Sequence, residues 1–241
     1  MLDAGGGPRA TFSPMHARLC PRAAFAASAL FVLLLTPAPP LAAQVRGRVQ
    51  ITDAGGRSAQ DVGNAVVSIE GGGPRGPQVR VDMALDARQF RPRVVVVAAG
   101  STVDFPNSDP FNHNVFSLSE PNDFDLGLYG RGHSGSHRFR HPGLVRVYCN
   151  IHPSMSGFVV VLGNGWFTQP GADGSFTIPD VPPGRYTLKV WHERASEVTQ
   201  EITVPEGGLS GVTVAMDASG YRPQAHKNKF GEDYGTTRER Y

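Results

Sequence analysis

Cysteine is scarce in this chain: of 241 residues only Cys20 and Cys149 carry a thiol. Cys20 sits in a stretch built like a secretory signal. Met15-His16-Ala17-Arg18 with Arg22 supplies a basic start, residues 23–35 an uncharged apolar run, and Leu41-Ala42-Ala43 a small-residue cleavage site before Gln44. Translation is expected to start at Met15, since residues 1–14 add a Gly-rich preface with an acidic residue, Asp3, that no signal needs. The apolar run is too short to span a bilayer, so no stable membrane span is expected after signal cleavage. Cys20 precedes that run, which argues against lipid attachment there. Cleavage after residue 43 leaves Cys149 as the lone thiol of an exported protein, periplasmic or secreted, and no internal disulfide can form. A free thiol in an oxidising compartment is open to oxidation, and holding a metal is the simplest way to protect it.

Net charge is missing too. The formal +2 vanishes once Arg9, Arg18, Arg22 and Asp3 leave with the signal, which excludes a general nucleic-acid binder. No stretch after residue 43 has the apolar spacing of an amphipathic helix, and no Gly-x-Ser-x-Gly elbow, phosphate loop or His-Glu-x-x-His pair occurs. The chain is therefore not expected to be an enzyme. What it has instead is Gly, Pro and short Val-rich runs at residues 65–67, 93–97 and 158–161. The predicted class is all-β, built as sandwiches, and the length suits two of them.

In chain order, Val45, Gly47, Val49 and Ile51 alternate along a first strand, Asp53-Ala54-Gly55-Gly56 turns, and residues 64–70 make a second strand before a Gly/Pro linker at 71–77. Residues 79–162 form another unit. In it residues 94–97 and 102–107 are strands, the second ended or confined to an edge by Pro106, and residues 117–135 are a Gly-, Asp- and Pro-rich loop. The strand at 144–149 puts Val145, Val147 and Cys149 on one buried face by its two-residue period.

At the end of that strand stands Tyr148-Cys149-Asn150-Ile151-His152-Pro153-Ser154-Met155. A thiolate, an imidazole and a weak thioether are the ligands of a copper site with one long axial sulfur bond, a site that needs one more histidine. His113, in Asn107-Ser108-Asp109-Pro110-Phe111-Asn112-His113-Asn114, is the candidate. The plainer alternative is a buried thiol near two surface imidazoles, but four candidate ligands coincide here with a strand-to-loop transition. Pro153 stiffens the loop and Gly157 lets it enter the closing strand. No His-x-His pair of the kind an oxygen-reducing copper cluster requires is present.

Asn107-x-Asp109, His113-Asn114-Val115 and Tyr148-Cys149-x-x-His152-Pro153-x-Met155-x-Gly157 resemble the cupredoxins, small blue-copper electron carriers, with nearest likeness to plastocyanin and amicyanin. The spacing Cys-x-x-His-x-x-Met is the short ligand loop of amicyanin. The resemblance implies a Greek-key sandwich with His113, Cys149 and His152 as equatorial ligands of one type 1 copper ion and Met155 as the axial one. It also implies that Asn114 ties the two ligand loops together near the Cys149 sulfur.

Residues 171–191, with a turn, a short strand, Val181-Pro182-Pro183-Gly184 and an alternating strand, resemble the second half of a carboxypeptidase regulatory-like domain, a transthyretin-like sandwich. Strands near 198–204 and 212–216 complete it. Residues 45–69 are similar to its missing first half. Residues 44–78 and 163–218 are thus expected to form one sandwich with the copper domain, 79–162, inserted into it; a tandem arrangement is the alternative. Residues 219–241 form a basic tail with Lys227, Lys229, Arg238 and Arg240, either mobile or wrapped on the surface.

The expected function is one-electron transfer between redox partners. Copper delivery or sequestration is an alternative, as is an adhesion or carbohydrate-binding sandwich carrying an accessory copper domain. Arg131, His137, Arg138, Arg140 and Arg146 are candidates for a basic patch that attracts an acidic redox partner, a solvated strand being the plainer reading. His133, His137 and His141 would share a face on one strand, where a second metal is conceivable. His192 reads as structural, and Trp166 and Trp191 as packing.

Overall fold

The computed structural model describes residues 43–223 and 225–234; the signal reading at residues 1–42 and the tail positions Arg238 and Arg240 lie outside them. The strands are β1 (Val45–Thr52), β2 (Val66–Glu70), β3 (Arg80–Asp82), β4 (Ala84–Asp86), β5 (Gln89–Arg91), β6 (Val94–Ala98), β7 (Thr102–Pro106), β8 (His113–Ser117), β9 (Phe124–Tyr129), β10 (Ser134–Arg138), β11 (Gly143–Cys149), β12 (Ser156–Leu162), β13 (Phe167–Thr168), β14 (Ser175–Ile178), β15 (Gly184–His192), β16 (Ala195–Val204) and β17 (Leu209–Asp217). The chain is all-β. Among the described residues the helical turns are two short 3-10 segments, Ala54–Gly56 and Val62–Asn64, and no helix is long and apolar enough to cross a membrane.

One core draws on both ends of the described chain. β1 pairs antiparallel with β14 and parallel with β17, while β2 lies between β13 and β15, and β15 carries β16. Alternation turns Val45, Val49 and Ile51 of β1 and Val67 and Ile69 of β2 inward, where they meet Phe176, Ile178, Leu188, Val190, Val214 and Met216. Gly47 lies where β1 crosses this core, and a Cβ there would stand 2.3 Å from the Val212 carbonyl oxygen and 2.6 Å from the Phe176 ring.

A second core lies between the five-stranded sheet β6-β12-β11-β8-β9 and the three-stranded sheet β10-β7-β3. The β4-β5 hairpin contacts both sheets. Leu85, Phe90, Val103, Phe105, Val115, Phe139, Val145, Val147 and Val159 fill this core, together with Cys149 and Met155. The opposite faces of β6 and β12 present Val94, Phe158 and Val160, which cluster with Val66 from the other sandwich. There the Trp191 ring packs on Phe158 at 5.3 Å, and Arg93 meets Glu193 at 2.5 and 2.8 Å. The connecting segments run side by side, with the Gly165 N–H donating to the Pro74 carbonyl at 2.8 Å.

Three sequence expectations need correcting. Residues 117–135 are not one loop, because β9 runs through them. Its pairing with β8 shifts register between Asn114 and Phe116, and Gly127 takes φ +71, so the two-residue period that marks a strand is broken. The second strand begins at Val66, not at residue 64, after the 3-10 turn. Of the three histidines four apart, only His137 lies in a strand, β10. Pro106 does end β7, but β7 is the central strand of its sheet, so the edge position is not used.

Candidate metal centre

β8 and β11 are antiparallel neighbours with Cys149 opposite Val115, so His113 at the start of β8 and Cys149 at the end of β11 arrive at the same end of the sheet. The loop from β11 to β12 then closes on itself. The Cys149 N–H donates to the Met155 carbonyl at 3.1 Å and the Met155 N–H to the His152 carbonyl at 3.0 Å, which folds the imidazole back over the thiol. Cys149 Sγ lies 3.6 Å from His113 Nδ1 and 3.4 Å from His152 Nδ1. Cys149 and His113 are fully enclosed, and His152 and Met155 are 6% and 1% exposed. Among the described residues this trio is the one group of metal-ligating side chains whose ligand atoms all lie within 4.8 Å of one another.

The spacing fits an ion. Bonds of roughly 2.0 Å to nitrogen and 2.3 Å to sulfur, at angles between tetrahedral and trigonal, separate N from S by about 3.5–3.7 Å; the 3.6 Å of His113 falls in that range and the 3.4 Å of His152 just short of it. One thiolate and two imidazoles, with the Met155 thioether in the same core cluster as Cys149, suit copper over harder cations.

Asp109, to which the sequence reading gave no role, holds His113 in place. Its Oδ2 lies 2.8 Å from His113 Nε2, and its oxygens accept from the amides of Ala87 and Arg88 at 2.8 and 2.9 Å. Burial pushes this carboxyl up, but the amide of Arg88, then His113 and the amide of Ala87, outweigh it and hold it below the usual carboxylate range. An ionised Asp109 keeps the His113 proton on Nε2 and turns the Nδ1 lone pair toward the sulfur. The signal available beforehand was the four-residue spacing from Asp109 to His113. Asn107 braces the same loop, its Oδ1 accepting from the Asp109 amide at 2.9 Å and its Nδ2 donating to the Phe111 carbonyl at 2.9 Å. The Phe111 ring flanks His113 and His152 at 5.3 and 5.4 Å.

Asn114 joins the two ligand loops through its backbone: its carbonyl accepts from the Asn150 N–H at 3.2 Å. Its side chain turns to β9, with Nδ2 donating to Asp125 at 2.6 Å and to the Gly127 carbonyl at 2.9 Å. Asn114 Oδ1 is buried with no hydrogen-bond partner among the described residues.

Of the five basic-patch residues, His137, Arg138 and Arg140 line one cleft of about 430 Å³ with Asn122, Asp123 and His141, whereas Arg131 and Arg146 are not among its lining. His137 is half-buried, stacked on Phe124 at 4.4 Å. Arg138 and Arg140 also line a second cleft of about 450 Å³ with Arg75, Gly100 and Pro142. That second cleft lies at the β11 end opposite Cys149, roughly 20 Å away at strand rise. Arg146 projects from the other sheet over the Phe158 ring at 5.8 Å, and Arg131 is exposed in the β9–β10 turn.

The family model of the carboxypeptidase regulatory-like domain matches residues 154–217. The match begins in the ligand loop and includes β12, which pairs with β6 and β11, and it stops short of β1 and β2. No curated protein matches the chain. The chain is similar to solved cupredoxin-type structures. A copper-containing nitrite reductase from Thermus scotoductus SA-01 is 25% identical, over 39% of this chain and 25% of that one, with a TM-score of 0.34. The chain thus spans only about a quarter of the reductase's length. A purple cupredoxin from Nitrosopumilus maritimus is 24% identical over 35% of this chain and 100% of its own, TM-score 0.31, and an oxidised amicyanin variant is 19% identical over 40% and 98%, TM-score 0.33.

Proposed function

We propose that this chain is an exported blue-copper protein that carries single electrons, with His113, Cys149 and His152 as its strong ligands and Met155 as the weak axial one. The observation that carries this reading is one enclosed sulfur within 3.6 Å of two imidazole nitrogens supplied by separate loops. When bound, copper supplies a couple between Cu(I) and Cu(II). The chain's own part is to hold the ligands still and dry. Asp109 fixes the His113 tautomer, the Met155–His152 backbone bond sets the loop, and burial of Cys149 keeps water and oxidants from the thiolate. A ligand set held this rigidly changes little with oxidation state, as one-electron exchange requires.

In this reading the protein transforms no substrate of its own, and the edge of His152 is the port toward a partner redox protein. The copper-bearing unit, residues 79–162, is inserted into a carboxypeptidase regulatory-like sandwich made by residues 44–78 and 163–218. The core that β1 and β2 share with β14, β15 and β17 supports that division. The copper-loaded protein is expected to show an intense thiolate-to-copper visible band that disappears on reduction and in Cys149→Ser. A colourless Cu(II) complex overturns the assignment.

A further inference from the structure

Beyond β17 the chain returns to the candidate metal centre. Residues 225–234 lie along the last residues of β11 and the start of the ligand loop, where three interactions fasten them, and a fourth reaches β9. The His226 ring stacks on Tyr148 at 4.3 Å with 22° between planes. The Tyr234 hydroxyl donates to the Cys149 carbonyl at 2.8 Å. The Lys229 N–H donates to Asn150 Oδ1 at 2.9 Å. Lys229 Nζ meets Asp125 at 2.7 Å, and Asp125 in turn accepts from Asn114.

The segment is also braced within itself. Asn228 Oδ1 accepts from the amides of Phe230 and Glu232, and the Asn228 carbonyl from the Gly231 N–H. This turn brings Tyr234 back edge-on to His226 at 5.2 Å and 87°. His226 Nδ1 lies 2.9 Å from the Lys227 carbonyl and 3.3 Å from the Tyr234 hydroxyl, and its Nε2 has no hydrogen-bond partner among the described residues.

We propose that residues 226–234 are a built-in strap that sets the Cys149–Met155 loop in its ligand geometry before any metal arrives, with Tyr234 and His226 as positioning residues. The contacts fall where they can do this. Cys149 is held at both ends of its backbone, its N–H by Met155 and its carbonyl by Tyr234. Asn150, the next residue, is tied to the His113 loop through the Asn114 carbonyl and to the strap through Lys229. Without the strap the carbonyl of the thiol residue and the Asn150 side chain would turn to solvent, and the sulfur would be aimed by the loop alone. The consequence for metal binding rests on the copper reading of the same site; the ordering of the loop does not.

The test uses the full chain, Tyr234→Phe, His226→Ala and a form ending at Pro223. In metal-free protein, amide exchange at Cys149, Asn150 and Met155 is expected to quicken by roughly tenfold in Tyr234→Phe, the worth of one net hydrogen bond, several-fold in His226→Ala, which loses the Tyr148 stack, and by at least tenfold in the shortened form, with little change in the other sandwich. In copper-loaded protein, transfer of the ion to a chelator is expected to quicken by about tenfold or more, and the visible band and reduction potential to shift. Tyr234→Phe retains the ring and loses only the hydroxyl, so the point variants decide the matter if the shortened form does not fold. Unchanged exchange at all three amides in both point variants overturns the strap. Faster exchange in a protein that never takes up copper upholds the strap and rejects the copper reading.

Discussion

At the scale of single residues, the candidate centre is a set of atoms whose protons are placed by their neighbours. Asp109 accepts three hydrogen bonds, from two amides and His113 Nε2. Replacing it with Asn exchanges one accepting oxygen for an NH2 group and leaves one of those donors facing another donor. Asp109→Asn is expected to weaken copper binding by about 10- to 100-fold, measured by competition with a chelator of known affinity; unchanged affinity would show that Asp109 is only loop scaffolding. The candidate ligand residues stand out in the sequence because their chemistry is carried by residue type: a thiol, two imidazoles and a thioether have few other reasons to coincide. Asp109 does not, because its role depends on the Ala87 and Arg88 amides, which only the β4–β5 turn brings to it. Asn114 was legible as a tie between loops but not in its route, which passes through the main chain while the side chain serves β9.

At the scale of elements, strands with one buried face declared themselves through alternation. β1, β11 and β17 repeat buried and exposed positions in turn over much of their length. The three-residue strands β3, β4 and β5 are too short to show a period, and β9 loses its own to a register shift beside Gly127. β2 differs again, with four successive buried residues, because Val67 and Ile69 fill its own core while Val66 packs on the other sandwich. β1 pairs with both β14 and β17, which leaves it no open edge to take up added bulk. Gly47→Ala brings a Cβ onto the Val212 carbonyl and the Phe176 ring, and both are fixed by the sheet. A loss of about 1–3 kcal/mol is expected, read as a lower urea midpoint, with the visible band of the folded copper protein unchanged. A shifted band would mean that β1 geometry reaches the metal centre through the interface of the two sandwiches.

At the scale of the whole molecule, the two sandwiches share the Phe158–Trp191 contact and the Arg93–Glu193 pair, and the polar network behind that contact makes stability depend on pH. His192, 1% exposed, follows Trp191 on β15. Its Nδ1 accepts from the Arg194 N–H and its Nε2 faces the Asp61 carbonyl, both at 3.3 Å, the pattern of a neutral imidazole. The Arg194 guanidinium spans Asp61 and Asp53. Burial lowers the His192 pKa, the Asp61 charge offsets this only in part, and Arg194 adds to the lowering. The unfolded chain therefore takes up a proton near pH 6.5 that the folded chain resists, so stability falls as pH drops below about 6.5 toward the folded value. Asp61 responds in a lower window. Burial raises its carboxyl, but the Arg194 hydrogen bond and the charges of His192 and Arg194 bring it below its ordinary 3.8, so its contribution is present above about pH 4 and lost as pH falls through the depressed value. Metal-free protein is the material for this measurement, since ligand protonation would otherwise add its own pH dependence. Thermal midpoints of the wild type are expected to decline as pH falls below about 6.5 and again below about 4, whereas His192→Gln makes the first decline shallower, burial of His137 and His226 still lowering their pKa values, and retains the second. Parallel curves between pH 7 and 5 would mean that the buried imidazole accepts its proton as readily in the folded state as in water.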